Sequence, residues 1–138
     1  MSFGRPLRLV VVDASSMVEV IIGEPGWTER FAGWQQGGSL LVAPPHFRSE
    51  MANALLRGVR LEPLDVIGRM QQLFLAGVDL IDRGFVGLVE AVERAARHGL
   101  SVYDASYLAL ALDLDGELAT LDRALATAAT AEGVALVP

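Results

Sequence analysis

The stretch Leu9–Ser16, LVVVDASS, runs four apolar residues directly into an aspartate, an alanine and two serines. A short aliphatic run without polar alternation describes a strand buried on both faces, as in a parallel sheet. A helix over Ser15–Ile22 follows, closed by Gly23 and Pro25. Asp13 therefore carries two readings. It is an N-cap, a position where aspartate is strongly preferred, or one wall of a site beyond the carboxyl end of a strand, where open α/β sheets bind ligands.

The same alternation continues along the chain. Gly26–Gln36 predicts a helix with Trp27, Phe31 and Trp34 as its core stripe. SLLVAPP (39–45) is a second strand that enters a helix through prolines, which a helix start tolerates. That helix covers His46–Arg60, with Phe47, Met51, Ala54 and Leu55 on its apolar side. Next come a helix from Pro63 to Gly77, a strand VDLID (78–82), and helices over Phe85–Arg97 and Ser101–Leu112. ELATL (117–121), a helix over Arg123–Ala131 and a last strand VALV (134–137) complete the order. Strands alternating with helices predict one α/β domain, a mainly parallel sheet with helices on both faces.

Composition narrows the chemistry. At 138 residues and 52% hydrophobic, the chain can build a substantial core. It has no cysteine, which excludes disulfides and thiolate zinc sites and fits a reducing cytosol. No apolar run approaches the roughly 18 residues of a membrane span, and Leu9–Val12 is too short for a signal-peptide core. The expected location is the cytoplasm, with no membrane partner. All 11 basic residues are arginine, so Schiff-base catalysis and a P-loop lysine are excluded. A net charge of -6 argues against broad electrostatic binding of nucleic acid.

Four carboxylates carry the functional reading. Asp13 and Asp122 each end a predicted strand and each could cap the helix that follows. Asp104 lies three residues after Ser101, as in a capping box, although that box favours Glu or Gln. Glu50 is expected about one and a half turns into its helix, sharing a face with Asn53 and Arg57. Sheet topology would bring all four to one rim, where they repel unless cations sit between them. Oxygen-only ligands favour Mg²⁺ or Mn²⁺ over zinc. Such a site suits phosphodiester hydrolysis, with one metal activating water and a second, roughly 3.5–4 Å away, stabilising the leaving oxygen. His46 and His98 are expected to be structural, the latter set against a helix C-terminus. Tyr103 and Tyr107, spaced i, i+4, are expected to pack rather than to stack on bases.

The segments VVVDASSMVEVIIGEP, APPHFRSEMANALLR, HGLSVYDASYLALA and LATLDRALATAA, in that order, resemble the PIN-domain ribonucleases, specifically VapC-type toxins of toxin–antitoxin pairs. The resemblance implies a three-layer α/β domain over residues 9–138, with MSFGRPLR (1–8) as an N-terminal extension. It also implies that Asp13, Glu50, Asp104 and Asp122 form a catalytic, metal-binding site. Ser15, Asn53 and Thr120 would orient the carboxylates or a metal water. The implied activity is Mg²⁺- or Mn²⁺-dependent cutting of RNA, restrained by a small VapB-like antitoxin, in a homodimer. Setting these four acids apart from the 17 leaves a near balance with the arginines, so the overall charge is no obstacle. Arg48, Arg57, Arg60, Arg94, Arg97 and Arg123 are candidates for phosphate contacts or ordinary surface pairs.

Two other readings compete. A phosphoacceptor module suits a strand-ending aspartate, but the chain lacks the lysine that such domains use. A non-catalytic PIN-like scaffold for RNA or protein is the closer alternative, against which stands the presence of all four acids.

Overall fold

The structure is a computed structural model and describes residues 8–138. Strand β1 (Leu9–Val12) leads into α1 (Ala14–Ile22) and α2 (Pro25–Gln36). Strand β2 (Leu40–Ala43) leads into α3 (Phe47–Asn53), a π-helical turn (Ala54–Gly58) and α4 (Pro63–Leu75). Strand β3 (Val78–Leu80), α5 (Gly84–His98), α6 (Val102–Leu114), β4 (Glu117–Ala119) and α7 (Arg123–Ala131) follow.

The sheet runs β3-β2-β1-β4 with every pairing parallel. β1 lies inside it, and Val10, Val11 and Val12 are fully buried. Enclosing each of these valines stabilises the fold by roughly 1.5–3 kcal/mol, so the run that opened the sequence is the centre of the core. Helix α6 packs on β1 and β4 and touches α5 and α7. It is buried from Ala105 to Ala111 apart from the half-buried Ser106, so a single-sided amphipathic stripe would not describe it. The remaining layer joins α1 to α2 and α3, and α3 to α4. The three-layer α/β expectation is met.

Register places the site. Val12 pairs with Ala119, so β1 and β4 end level and release Asp13 and Thr120 side by side. Gly116 makes the close approach possible, since a Cβ there would lie 2.6 Å from Leu9 Cδ2 and 3.1 Å from the Leu9 carbonyl oxygen.

Three expectations change. The helix expected over His46–Arg60 is α-helical only to Asn53, after which Val59 N–H reaches back five residues to Ala54 O at 2.9 Å. The last strand VALV shrinks to one parallel bridge, Leu118 to Leu136, because β4 has only three residues to pair. Residues 1–7 of the expected extension lie outside the described residues. Arg8 belongs with the sheet: its carbonyl accepts from Leu40 N–H at 2.8 Å and its guanidinium pairs with Glu117. No helix among the described residues is long and apolar enough to cross a membrane.

Candidate active site

Asp13 is an N-cap, the first of the two roles that the sequence offered it. Its Oδ1 accepts from Ser16 N–H at 2.9 Å and caps α1. Ser15 Oγ lies 2.8 Å from the same oxygen and 2.9 Å from Oδ2, and Thr120 donates its hydroxyl to Oδ2. Ser16 Oγ lies 3.0 Å from both the Asp13 and Ala119 carbonyls, tying the ends of β1 and β4. Asp13 is 4% exposed, and burial pushes its carboxyl above the usual range despite the hydroxyls of Thr120 and Ser15 and the Ser16 amide.

Asp122 is reached through Thr120, whose Oγ1 accepts from Asp122 N–H at 3.0 Å. Its own carboxylate caps α7 by accepting from Leu125 N–H at 3.0 Å. Ser101 Oγ accepts from Asp104 N–H at 3.0 Å and caps α6. Asp104 itself rises above its ordinary range, first through burial and then through the negative charges of Asp122 and Glu50. The negative charges of Asp122 and Glu50 are thus among the groups that act on Asp104.

Glu50 corrects a further expectation. Helix α3 starts at Phe47, so Glu50 stands in the first turn, not one and a half turns in. Its carboxylate caps nothing. Tyr107 donates its hydroxyl to Oε1 at 2.9 Å, and His46 Nε2 stands 2.8 Å from the same oxygen. Burial raises Glu50, but the His46 and Tyr107 contacts outweigh it and leave the carboxyl below its usual range.

Asn53 is exposed and lines a groove of about 610 Å³ with Glu50, Ser15, Val18, Val59 and Leu121. Among the described residues no hydrogen bond ties its amide to an acid. His46 and Tyr107 were missed as site residues. The available signal was spacing: His46 lies four residues before Glu50, and Tyr107 three after Asp104. His98 behaves as expected, at the end of α5 and 2.9 Å from Glu132. Arg94 and Arg97 join it on Glu132, the ordinary pairing weighed for them.

The donor set fits a hard cation in its chemistry, being oxygen throughout apart from His46. No three acidic or imidazole side chains converge tightly enough to ligate one ion among the described residues. Asp13 and Asp122 are turned toward their capping amides, which accounts for part of this.

A PIN domain family model matches residues 10–131. This chain belongs to the PIN-domain family. Ribonuclease VapC3 of Pyrobaculum aerophilum is 54% identical over 39 residues, a match spanning 28% of this chain and 30% of that protein's length. The crystal structure of PAE2754 from the same organism superposes with a TM-score of 0.72 at 23% identity, covering 98% of this chain and 88% of that one. VapC20 of Mycobacterium tuberculosis, described as a sarcin–ricin-loop-cleaving toxin, gives 0.68 at 17% identity, covering 86% and 94%. These two structures share the fold of this chain.

Proposed function

We propose that this PIN domain, spanning residues 9–138, is a Mg²⁺- or Mn²⁺-dependent endoribonuclease, the toxin of a toxin–antitoxin pair. The observation that carries the reading is electrostatic. Burial and then the negative charges of Asp122 and Glu50 raise the Asp104 carboxyl, and Ser101 and His46 offset this only in part. Among the described residues no arginine pairs with any of the four rim acids. Arginines instead neutralise Glu90, Asp113, Glu117 and Glu132 elsewhere. Among the described residues, Asp13, Asp104 and Asp122 have no ion-pair partner and Glu50 has only His46, which leaves the rim open to an exogenous cation.

Asp13, Glu50, Asp104 and Asp122 would hold that cation, with Ser15 and Thr120 fixing the Asp13 carboxylate. Mg²⁺ retains several waters and needs only one or two carboxylates from the protein, so three-fold convergence is not a requirement. When bound, a divalent cation supplies Lewis acidity at water and at the phosphate. The chain's own contribution is to gather the acids, fix Glu50 through Tyr107 and His46, and keep Asp13 beyond bulk water. The similarity to a named VapC ribonuclease supports RNA as substrate and a small VapB-like antitoxin as partner. A homodimer fits the apolar side chains that α4 and α5 leave in solvent, among them Leu64, Leu75, Phe85 and Val86. A cytoplasmic location fits the cysteine-free composition.

The test is digestion of total RNA with and without Mg²⁺, comparing the wild-type protein with Asp13→Asn. Metal-dependent cutting that the substitution abolishes supports the nuclease. Metal-independent binding without cutting supports the scaffold.

A further inference from the structure

Tyr103 and Tyr107 sit one turn apart on α6 and meet opposite fates. Tyr107 is enclosed, whereas Tyr103 is 66% exposed. An exposed aromatic ring alone is an ordinary surface feature, but this one is held. His46 meets it edge-on with centroids 5.5 Å apart and ring planes at 64°. The same imidazole meets Tyr107 at 5.1 Å and stands 2.8 Å from the Glu50 carboxylate. Three rings thus lead from solvent to the acid rim, and the outermost directly precedes Asp104 in sequence. Among the described residues nothing hydrogen-bonds the Tyr103 hydroxyl, so the fold makes no evident use of it.

We propose that Tyr103 is a stacking platform for an unpaired nucleobase next to the phosphate bound at the acid rim. The proposal rests on the nuclease reading and narrows its substrate to RNA whose bases are splayed out in single strands or loops. Two physical arguments carry it. Bound cations would offset the rim acids, but the remaining 13 acids against 11 arginines give no cationic surplus to hold a nucleic-acid backbone, so affinity must come partly from contacts that are not coulombic. Base stacking on an aromatic ring is such a contact, tolerant of sequence because every base has a π-face. A ring already fixed by His46 also loses little freedom when a base settles on it.

The experiment uses a short synthetic RNA spanning a site that the wild-type protein cuts in total RNA. Tyr103→Ala should lower kcat/KM on this RNA by roughly ten- to hundred-fold. Tyr103→Phe and Tyr103→Trp should retain most of the rate, and the Mn²⁺ affinity of Tyr103→Ala should match wild type. Replacing one base beside the cut with an abasic site should slow the wild type by a similar factor and leave Tyr103→Ala unchanged, since its contact is already gone. Wild-type cutting combined with an unaffected Tyr103→Ala overturns the platform alone. So does a deficit that persists whichever flanking base is removed. A wild-type protein that cuts no RNA in Mg²⁺ or Mn²⁺ overturns the nuclease reading and the platform together.

Discussion

Tyr107 donates a hydrogen bond from its hydroxyl to Glu50 Oε1 across 2.9 Å, from a side chain that is itself 1% exposed. Burial and the neighbouring Glu50 charge both push the phenol far above its ordinary range, so it remains a donor at every physiological pH. A permanent donor on one carboxylate oxygen fixes the direction of the other.

Removing that hydroxyl while keeping the ring isolates this role. Tyr107→Phe should keep its fold and lose about 1.5–3 kcal/mol, the range of a hydrogen bond to a charged group. Metal-dependent cutting should fall by about ten-fold through kcat, equivalent to roughly 1.4 kcal/mol of barrier. Steady-state kinetics and urea unfolding measure the two effects. Unchanged kcat in a destabilised variant would reduce Tyr107 to packing.

Thr120→Val tests the support of Asp13. The substitution preserves shape but withdraws the hydroxyl that answers Asp13 Oδ2. A buried carboxylate short of one donor should cost about 1–3 kcal/mol in urea unfolding, and the Asp13 carboxyl should titrate higher still by NMR. Stability equal to wild type would mean that Ser15 alone satisfies the acid.

Asp104→Asn should stabilise the metal-free protein while removing activity. The Ser101 cap accepts from the backbone amide of residue 104, so the exchange leaves it intact. Relief of repulsion from Asp122 and Glu50 should raise Tm by about 2–4 °C. The pH dependence has a definite sign. Asp104 binds its proton more tightly folded than unfolded, so the ionised carboxylate costs stability above the folded pKa. The gap between variant and wild type should therefore narrow as pH falls through that folded pKa toward the ordinary 3.8. A gap of opposite sign near neutral pH would make Asp104 a structural acid.

Mn²⁺ should stabilise the wild-type protein by roughly 2.7 kcal/mol at a concentration about 100 times its dissociation constant. Asp13→Asn should lose most of that gain. Thermal melts with and without the metal read it directly, and identical melts for the wild type would count against a cation at the rim.

Much of the architecture was legible because each strand is a short aliphatic run with a sharp end. Asp13 and Asp122 follow such ends, and a parallel sheet sends those ends the same way. Glu50 was harder, since its helix starts only at Phe47 and the prolines before it blur the boundary. The π turn at Ala54–Gly58 was invisible, because an apolar pattern reports which residues face inward, not whether a hydrogen bond spans four residues or five. Tyr103 and Tyr107 looked equivalent by spacing. What separates them is where α6 passes under its neighbours, and that depends on chain distant in sequence. VALV has the composition of a strand but finds a partner too short to pair with it.

The oxygen atoms around Asp13 come from residues 107 positions apart. A growing polypeptide that has not yet been translated as far as Thr120 therefore leaves Asp13 Oδ2 without the Thr120 hydroxyl, however well its earlier parts have folded. The Asp13 carboxylate gains its last hydroxyl partner only when almost the whole of the domain has been synthesised.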